Sequence, residues 1–459
     1  MKKNHPYKMD YLLHRKEALD LREKYGDDQA KRVIRELLEK VKEKWLNGGD
    51  ILDEADFFEL VSKKLEEVFK NPIQRVINAT GVIIHTNLGR APLSRKILIR
   101  SAEVLPYYVE IEWDKESKER GNRDKKIEPL FKTLFKTDKD VIVVNNCASA
   151  LMLVLNTFSK RKETVVSRGE LVEIGGKFRI PEVMLSSQAI LREVGTTNRT
   201  SISDYENAIN EKTALLLKVH RSNFEIVGFS EEATLEEIVE LGKRKNLSVV
   251  FDFGTGLLFK KNASKKEKSI EEILKINPDI VTFSGDKLFG GCQAGFIVVK
   301  KELSEKIRKN NLLRALRVDK FVYFYLSEMA MEYLKGNFEE ITVLDLICKD
   351  EKYLKERAIK LKEKIECSSE DFYKVELKDE EGRVGGGSFP NYAIASPALK
   401  ISCKKGSTTK LEKFLRTNGE IPILCNVKEN AIFIHFRTLF EEDEEIIIEK
   451  FKKFAGGEK

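Results

Sequence analysis

The sequence has little of what metal centres and disulfide scaffolds are built from. Its six cysteines, Cys147, Cys292, Cys348, Cys367, Cys403 and Cys425, stand apart, and no C-x-x-C occurs. The five histidines do not gather near them. This spacing argues against a zinc site or a disulfide framework, and no metal is expected. Long hydrophobic runs are missing too. Apolar runs such as AIFIHF and VIVV fall far short of the roughly 20 apolar residues of a membrane helix. The N-terminal MKKNHPYKMDYLLHRKE lacks the apolar core of a signal peptide, so the cytoplasm is the expected compartment. There is no internal repeat and no low-complexity tract.

What is present is a chain of 459 residues, 41% hydrophobic and 34% charged, long enough for a large core and two or three domains. The net charge of +7 is mildly basic and compatible with a polyanionic partner. Residues 1–70 read as helical: DDQAKRVIRELLEKVKEKWL and DEADFFELVSKKLEEVFK carry apolar residues at helical spacing, separated by NGGD. They predict a small helical domain with a basic face, and a plain packing or dimerisation bundle accounts for it equally well. Over residues 71–305 short β-rich runs alternate with helical patterns. VIVV, TALLLKV, LSVVFDF, DIVTFS and GFIVVK are the strand candidates, and the alternation predicts βαβ units with a mostly parallel sheet. Residues 306–459 predict a helical connection followed by a compact α+β domain.

Residues 281–295 read VTFSGDKLFGGCQAG. A strand-like run ends in Ser284-Gly285-Asp286, then come Lys287 and two glycines. Glycine lets backbone and a flat ligand approach closely, so this frame marks Lys287 as a ligand-binding lysine rather than a solvated one. Ser284 to Lys287 also fits the S-x-x-K of serine acyl-enzymes. Those need the serine at a helix start, whereas here a strand precedes and glycines follow.

Ligands of open α/β sheets sit beyond the C-terminal ends of strands, and two further strand ends belong with this one. In VIVVNNCASALMLVLN, Asn146, Cys147, Ala148 and Ser149 would offer backbone N–H groups, and Ser149 its hydroxyl, to an anion at a helix start. In SVVFDFGTG, Asp252 ends a buried strand, and a buried carboxylate needs a cationic partner. That partner is an arginine, a lysine or a protonated pyridine nitrogen. A lysine for a Schiff base, an acid for a ring nitrogen and a turn for a phosphate are together what an enzyme using pyridoxal 5'-phosphate requires. Ser284, at the strand end, is counted with Lys287 in the cofactor site.

Nine stretches then resemble one family. They are RVINATGVIIHTNLGRAPLS (75–94), ERGNRD (119–124), VVNNCASALMLVLNT (143–157), SRGELVEIGGKFRIPEVM (167–184), EVGTTNRT (193–200), HRSNFEIVGF (220–229), SGDKLFGGCQAG (284–295), LLRALRVDK (312–320) and VGGGSFP (384–390). Together they resemble the bacterial selenocysteine synthase, or L-seryl-tRNA(Sec) selenium transferase, family, and TNLGRAPL and SGDKL-x-GG-x-QAG are its most specific parts.

The resemblance implies an α/β chain of pyridoxal phosphate-dependent fold type I, the aspartate aminotransferase-like fold. An N-terminal helical domain and a small α+β C-terminal domain flank its core. Lys287 would carry the cofactor. The implied reaction turns L-seryl-tRNA(Sec) into L-selenocysteinyl-tRNA(Sec) with selenophosphate, through a cofactor-bound dehydroalanyl-tRNA. Arg90, Arg123, Arg314 and Arg317 lie in matching stretches and are expected to cradle selenophosphate. Arg314 and Arg317 would share a helical face if LLRALR is a helix. Asp286 would orient a substrate group or balance the arginines, and His220 would lie against the pyridine ring or simply be a satisfied buried histidine. The N-terminal domain would bind the tRNA body through Lys31, Arg32, Arg35, Lys40, Lys42 and Lys44. A ring of five dimers is implied, with EVGTTNRT at a dimer–dimer contact. The chain departs from the family at Cys292, where proline is usual, and in NNCASA. Both Cys147 and Cys292 read as tolerated small residues. Two alternatives stand beside this reading: a fold type I lyase or transferase for a small amino acid or amino-sugar acid, and a non-catalytic tRNA-binding protein on the same scaffold.

Overall fold

The computed structural model describes residues 7–50, 52–174, 178–224, 226–260, 267–369 and 371–457. Residues 175–177, inside SRGELVEIGGKFRIPEVM, lie outside that set. The chain divides into two compact units, one ending at Arg75 and the other beginning at Val76.

The first unit holds four helices: α1 (Met9–Leu13), α2 (Lys16–Tyr25), α3 (Asp27–Leu46) and α4 (Glu54–Phe69). Ala30, Val33, Ile34 and Leu38 recur at spacings of three and four, so they form one stripe of α3. That stripe is buried in a cluster with Phe57, Phe58, Val61 and Leu65 of α4 and Leu12 and Ala18 of the first two helices. Burying each large side chain of this kind stabilises by about 1.5–3 kcal/mol. Asp53 starts α4 by accepting a hydrogen bond from the Ala55 N–H at 3.2 Å.

The second unit opens with two short strands, β1 (Ile77–Ala79) and β2 (Val82–Ile84). Its main sheet is built from β3 (Asp140–Val144), β4 (Glu163–Ser167), β5 (Ile190–Val194), β6 (Thr213–Val219), β7 (Ser248–Gly254), β8 (Ile280–Ser284) and β9 (Gly295–Val299). The order across the sheet is β3-β9-β8-β7-β6-β4-β5. Both faces are covered. Val141, Val143, Phe251 and Phe283 enter one apolar cluster, and Ile142, Val144, Val250 and Ile280 the other. Strands buried on both faces read as continuous apolar runs, which is why these were visible in the sequence. Strands β8, β7, β6, β4 and β5 pair in parallel. Strand β9 runs antiparallel to both β8 and β3. The short connection 285–294 holds no crossover helix, and only an antiparallel return is then possible.

A second, five-stranded sheet has β1 at its edge, then Ile423–Lys428, Ala431–His435, Ala398–Cys403 and Tyr373–Lys378. Strand β2 pairs with Glu381–Gly385. Residues 77–84, grouped with 71–305 on sequence, therefore pair with the C-terminal strands. Short strands carry no mark of their partner, and only the fold reveals it. No helix among the described residues is long and apolar enough to cross a membrane.

Candidate active site

Strand β8 ends at Ser284, and residues 285–289 form a turn. No helix starts at Ser284, so the geometry of a serine acyl-enzyme is not formed. The turn is pinned by Gly285 N–H to Ala294 O and Gly291 N–H to Gly285 O, both 2.8 Å, and by Leu288 N–H to Thr255 O at 3.0 Å. Lys287 is only 5% exposed. Burial pushes its amine below the usual lysine range, which raises the share of the neutral, nucleophilic form. The glycines around it serve a different purpose from the one expected. A Cβ on Gly285 would lie 3.0 Å from Cys292 O, one on Gly290 2.7 Å from Ile341, and one on Gly291 2.9 Å from Met329. They pack the loop against its own protein, and do not clear space for a ligand.

Asp252 lies on β7 and is buried. Its Oδ1 accepts hydrogen bonds from Thr282 Oγ1 at 2.6 Å and from Cys147 Sγ at 3.3 Å. Burial raises its pKa, while these two donors and the Lys287 charge oppose the rise. Reading Cys147 as a merely tolerated small residue thus misses this contact, because the thiol of a helix-start residue reaches a strand three places across the sheet from the one before it. Burial and the Asp252 charge hold that thiol well above its ordinary range, so it stays protonated and able to donate. Cys292 is buried and its thiol is pushed up to about 12. His220 follows β6. Its N–H bonds Asp252 O at 2.9 Å, its ring tilts on Phe253 at 5.7 Å, and its Nε2 lies 2.6 Å from Glu267 Oε1.

Helix α6 (Cys147–Phe158) starts beside this acid; an earlier helix, α5 (Arg123–Phe135), supplies Arg123. Asn146 caps α6, its Oδ1 taking the Ser149 N–H at 2.8 Å. The Ser149 amide is therefore already used, and the expectation that all four residues offer N–H groups is reduced. Cys147 and Ala148 are the first-turn residues whose amides have no partner among the described residues. The chain can start α6 here because Gly295 has no side chain. A Cβ there would lie 2.0 Å from Asn146 O.

Of the arginines, Arg90 adopts a left-handed conformation (φ +64°), which costs about 1–2 kcal/mol, and its Nη1 meets Asp286 Oδ2 at 2.9 Å. Asp286 is buried and its Oδ1 has no hydrogen-bond partner among the described residues. Arg123 and Arg317 converge on Glu112 Oε1 at 2.5 and 3.2 Å. Arg314 is exposed and has no ion pair among the described residues. Helix α7 covers Asn311–Leu316, and Arg317 is its extended C-cap. The expected shared face of Arg314 and Arg317 is not formed, because Arg317 leaves the helix to bridge Val144.

These elements coincide with known sequences. The profile of the L-seryl-tRNA selenium transferase family matches residues 76–440. The L-seryl-tRNA(Sec) selenium transferase of Aquifex aeolicus is 41% identical over 92% of this chain and 93% of its own length. That of Aliarcobacter butzleri is 43% identical over 90% of each, and that of Clostridium perfringens strain 13 is 46% identical over 83% of each. The chain belongs to the L-seryl-tRNA selenium transferase family. Among solved structures, a D-glucosaminate-6-phosphate ammonia-lyase superposes with a TM-score of 0.59 at 18% identity, over 84% of this chain and 96% of its own. That likeness shows the fold, pyridoxal phosphate-dependent type I, and nothing about substrate.

As a transferase of this family, the chain uses pyridoxal phosphate, and the residues fit it. They provide a buried amine at Lys287, a buried carboxylate at Asp252 with Oδ2 unpartnered among the described residues, and the amides at the start of α6. No group of three or more metal-ligating side chains occurs among the described residues.

Sequence reasoning missed Glu112 and Thr282. Thr282 faces Asp252 directly in the parallel register and interrupts an otherwise apolar run, a signal that strand counting could have found. Glu112 lies in an irregular loop and carried no signal. In the first unit, Lys31, Arg35 and Lys42 share one flank of α3, while Lys40 and Lys44 lie on the other. Arg32 stands on the outer face, 3.9 Å from Glu36, and Lys31 pairs with Asp27 at 2.6 Å.

Proposed function

We infer that this transferase converts L-seryl-tRNA(Sec) to L-selenocysteinyl-tRNA(Sec) with selenophosphate as selenium donor, in the cytoplasm. One observation carries the reading: a buried, pKa-lowered Lys287 beside a buried Asp252, in a chain of this family. Bound pyridoxal phosphate withdraws electrons from the seryl α-carbon, so the α-proton and then the β-hydroxyl can leave.

The chain's own groups do the rest. Lys287 Nζ would hold the cofactor and, once its amine is free, would take the α-proton. Asp252 keeps the ring nitrogen protonated, with His220 and Ser284 beside it. The amides at Cys147 and Ala148, with the Ser149 hydroxyl and the Asn146 cap, hold the phosphate. Asp286, tied at one oxygen by Arg90, turns its unpartnered Oδ1 to the seryl β-hydroxyl. Arg90, Arg123, Arg314 and Arg317 cradle selenophosphate, whose oxygens suit the guanidinium fork. Arg123 and Arg317 are held ready by Glu112 and exchange it for the anion.

The first unit grips the tRNA backbone through Arg35 and Lys42 on one flank of α3, joined by Lys31 and Arg32, with Lys40 and Lys44 on the other. The chain assembles as a ring of five dimers, with EVGTTNRT at a contact between dimers. Beside that segment Val227 and Phe229 are 87% and 96% exposed, and Asn198 donates to Phe229 O at 2.6 Å. The test is incubation of the purified protein with seryl-tRNA(Sec) and selenophosphate, followed by analysis of the esterified amino acid. Selenocysteine is expected, and none with seryl-tRNA(Ser). Unchanged serine on tRNA(Sec) would overturn the reading, and turnover of a free small amino acid instead would favour a lyase.

A further inference from the structure

Asp252 is served by two donors, and both go to the same oxygen. They come from different elements. Thr282 stands opposite Asp252 in the parallel register of β7 and β8. It is fully buried in the run IVTFS, and its branched side chain has few rotamers to choose from. Its hydroxyl is spent on Asp252 Oδ1 at 2.6 Å. Cys147 arrives from the far side, on the first turn of α6. Two strands, β9 and β8, separate its own strand β3 from β7. The crossing is open only because β9 begins with Gly295, where a Cβ would meet Asn146 O at 2.0 Å. The thiol is held protonated by its surroundings, so it is a standing donor.

A carboxylate accepts about four hydrogen bonds, two at each oxygen. Here Oδ1 is filled from two directions, and Oδ2 has no hydrogen-bond partner among the described residues. Two donors at one oxygen fix the orientation of the carboxylate, so Oδ2 keeps a set direction. Burial alone favours its neutral form, and donors to the charged form counter that.

We propose that Thr282 and Cys147 are positioning residues that fill Oδ1 of Asp252 and reserve Oδ2, as an anion, for the ring N–H of pyridoxal phosphate. The proposal rests on the reading that Asp252 meets that nitrogen. It gives Cys147, in a segment that departs from its family's usual letters, a defined task without touching substrate.

The test uses full-length holoenzyme loaded with cofactor labelled with ¹⁵N in the ring, and reads the nitrogen's chemical shift and the cofactor dissociation constant. In the Thr282→Val/Cys147→Ala double variant the signal should move from the protonated toward the neutral pyridine position. The dissociation constant should rise about tenfold, the equivalent of one pKa unit. Thr282→Ser and Cys147→Ser keep a donor and should keep the parent signal, which a merely space-filling role would not require. A folded double variant with the parent's shift and affinity overturns the proposal. Should the double variant not fold, Cys147→Ala alone decides, because it removes one sulfur from a helix start: an unmoved signal in it overturns the proposal. Asp252→Asn separates the two levels. If its signal does not move, the reading of Asp252 fails; if it moves while the double variant's does not, only the positioning role fails.

Discussion

A lysine amine buried to 5% exposure, with its pKa pushed down, supplies more of the uncharged form that Schiff-base chemistry needs. Lys287→Ala should abolish both the visible absorption of the bound cofactor and turnover, while far-ultraviolet circular dichroism stays that of the parent. Asp252→Ala should slow loss of the α-proton in single-turnover experiments more than it weakens tRNA binding; equal elimination rates would remove the assignment. Glu112 makes a pH-dependent contribution. The Arg123 hydrogen bond, its largest favourable influence, lowers its folded pKa below the unfolded value. The contribution is fully present above about pH 4.3, the ordinary value for glutamate, and is lost as pH falls through the lowered folded value. Glu112→Gln should therefore lower the urea midpoint at neutral pH and leave it near the parent's in acid. Asp252 was legible because a charged residue closing a buried strand is costly and needs a reason, and Lys287 because a strand end and glycines frame it. Glu112 was not: its partners Arg123 and Arg317 are brought to it by loop geometry that no local pattern encodes.

Elements were legible where burial made them apolar. Strands β3, β6, β7, β8 and β9 read as apolar runs. Strands β4, whose sequence is ETVVS, and β5, ILREV, did not, the first having only Val165 and Val166 as apolar residues and the second being an edge strand with exposed charges. The direction of β9 was hidden as well, since apolar runs look alike in either sense. Gly295, at the start of β9, is where one strand and one helix start touch, and it explains the last letter of SGDKLFGGCQAG. Gly295→Ala should displace the start of α6, cost about 1–3 kcal/mol in denaturant unfolding, and weaken cofactor binding more than it lowers helix content. A variant with parent stability and parent cofactor affinity would show that the approach is not needed. Arg314 and Arg317 illustrate the opposite limit. Their spacing suggested one face, yet the helix ends at Leu316 and Arg317 leaves it to bridge Val144 while Arg314 stays on the helix.

At the scale of the molecule, the two compact units have separate cores, so removal of residues 1–65 should leave a folded protein that still binds pyridoxal phosphate. The truncated protein should bind tRNA(Sec) weakly and lose its preference over tRNA(Ser). Binding by the full chain should fall steeply with salt, because phosphate neutralisation supplies much of its strength. Sedimentation of the same sample separates this from a purely assembling role, which predicts a changed oligomer with tRNA preference intact. The account stands or falls on one lysine holding the cofactor in the second unit. Borohydride reduction of the holoenzyme followed by peptide mapping tests this directly. The account predicts a reduced pyridoxyl group on the peptide containing Lys287 and on no other. A pyridoxyl group on any other lysine, or none on Lys287, would contradict it.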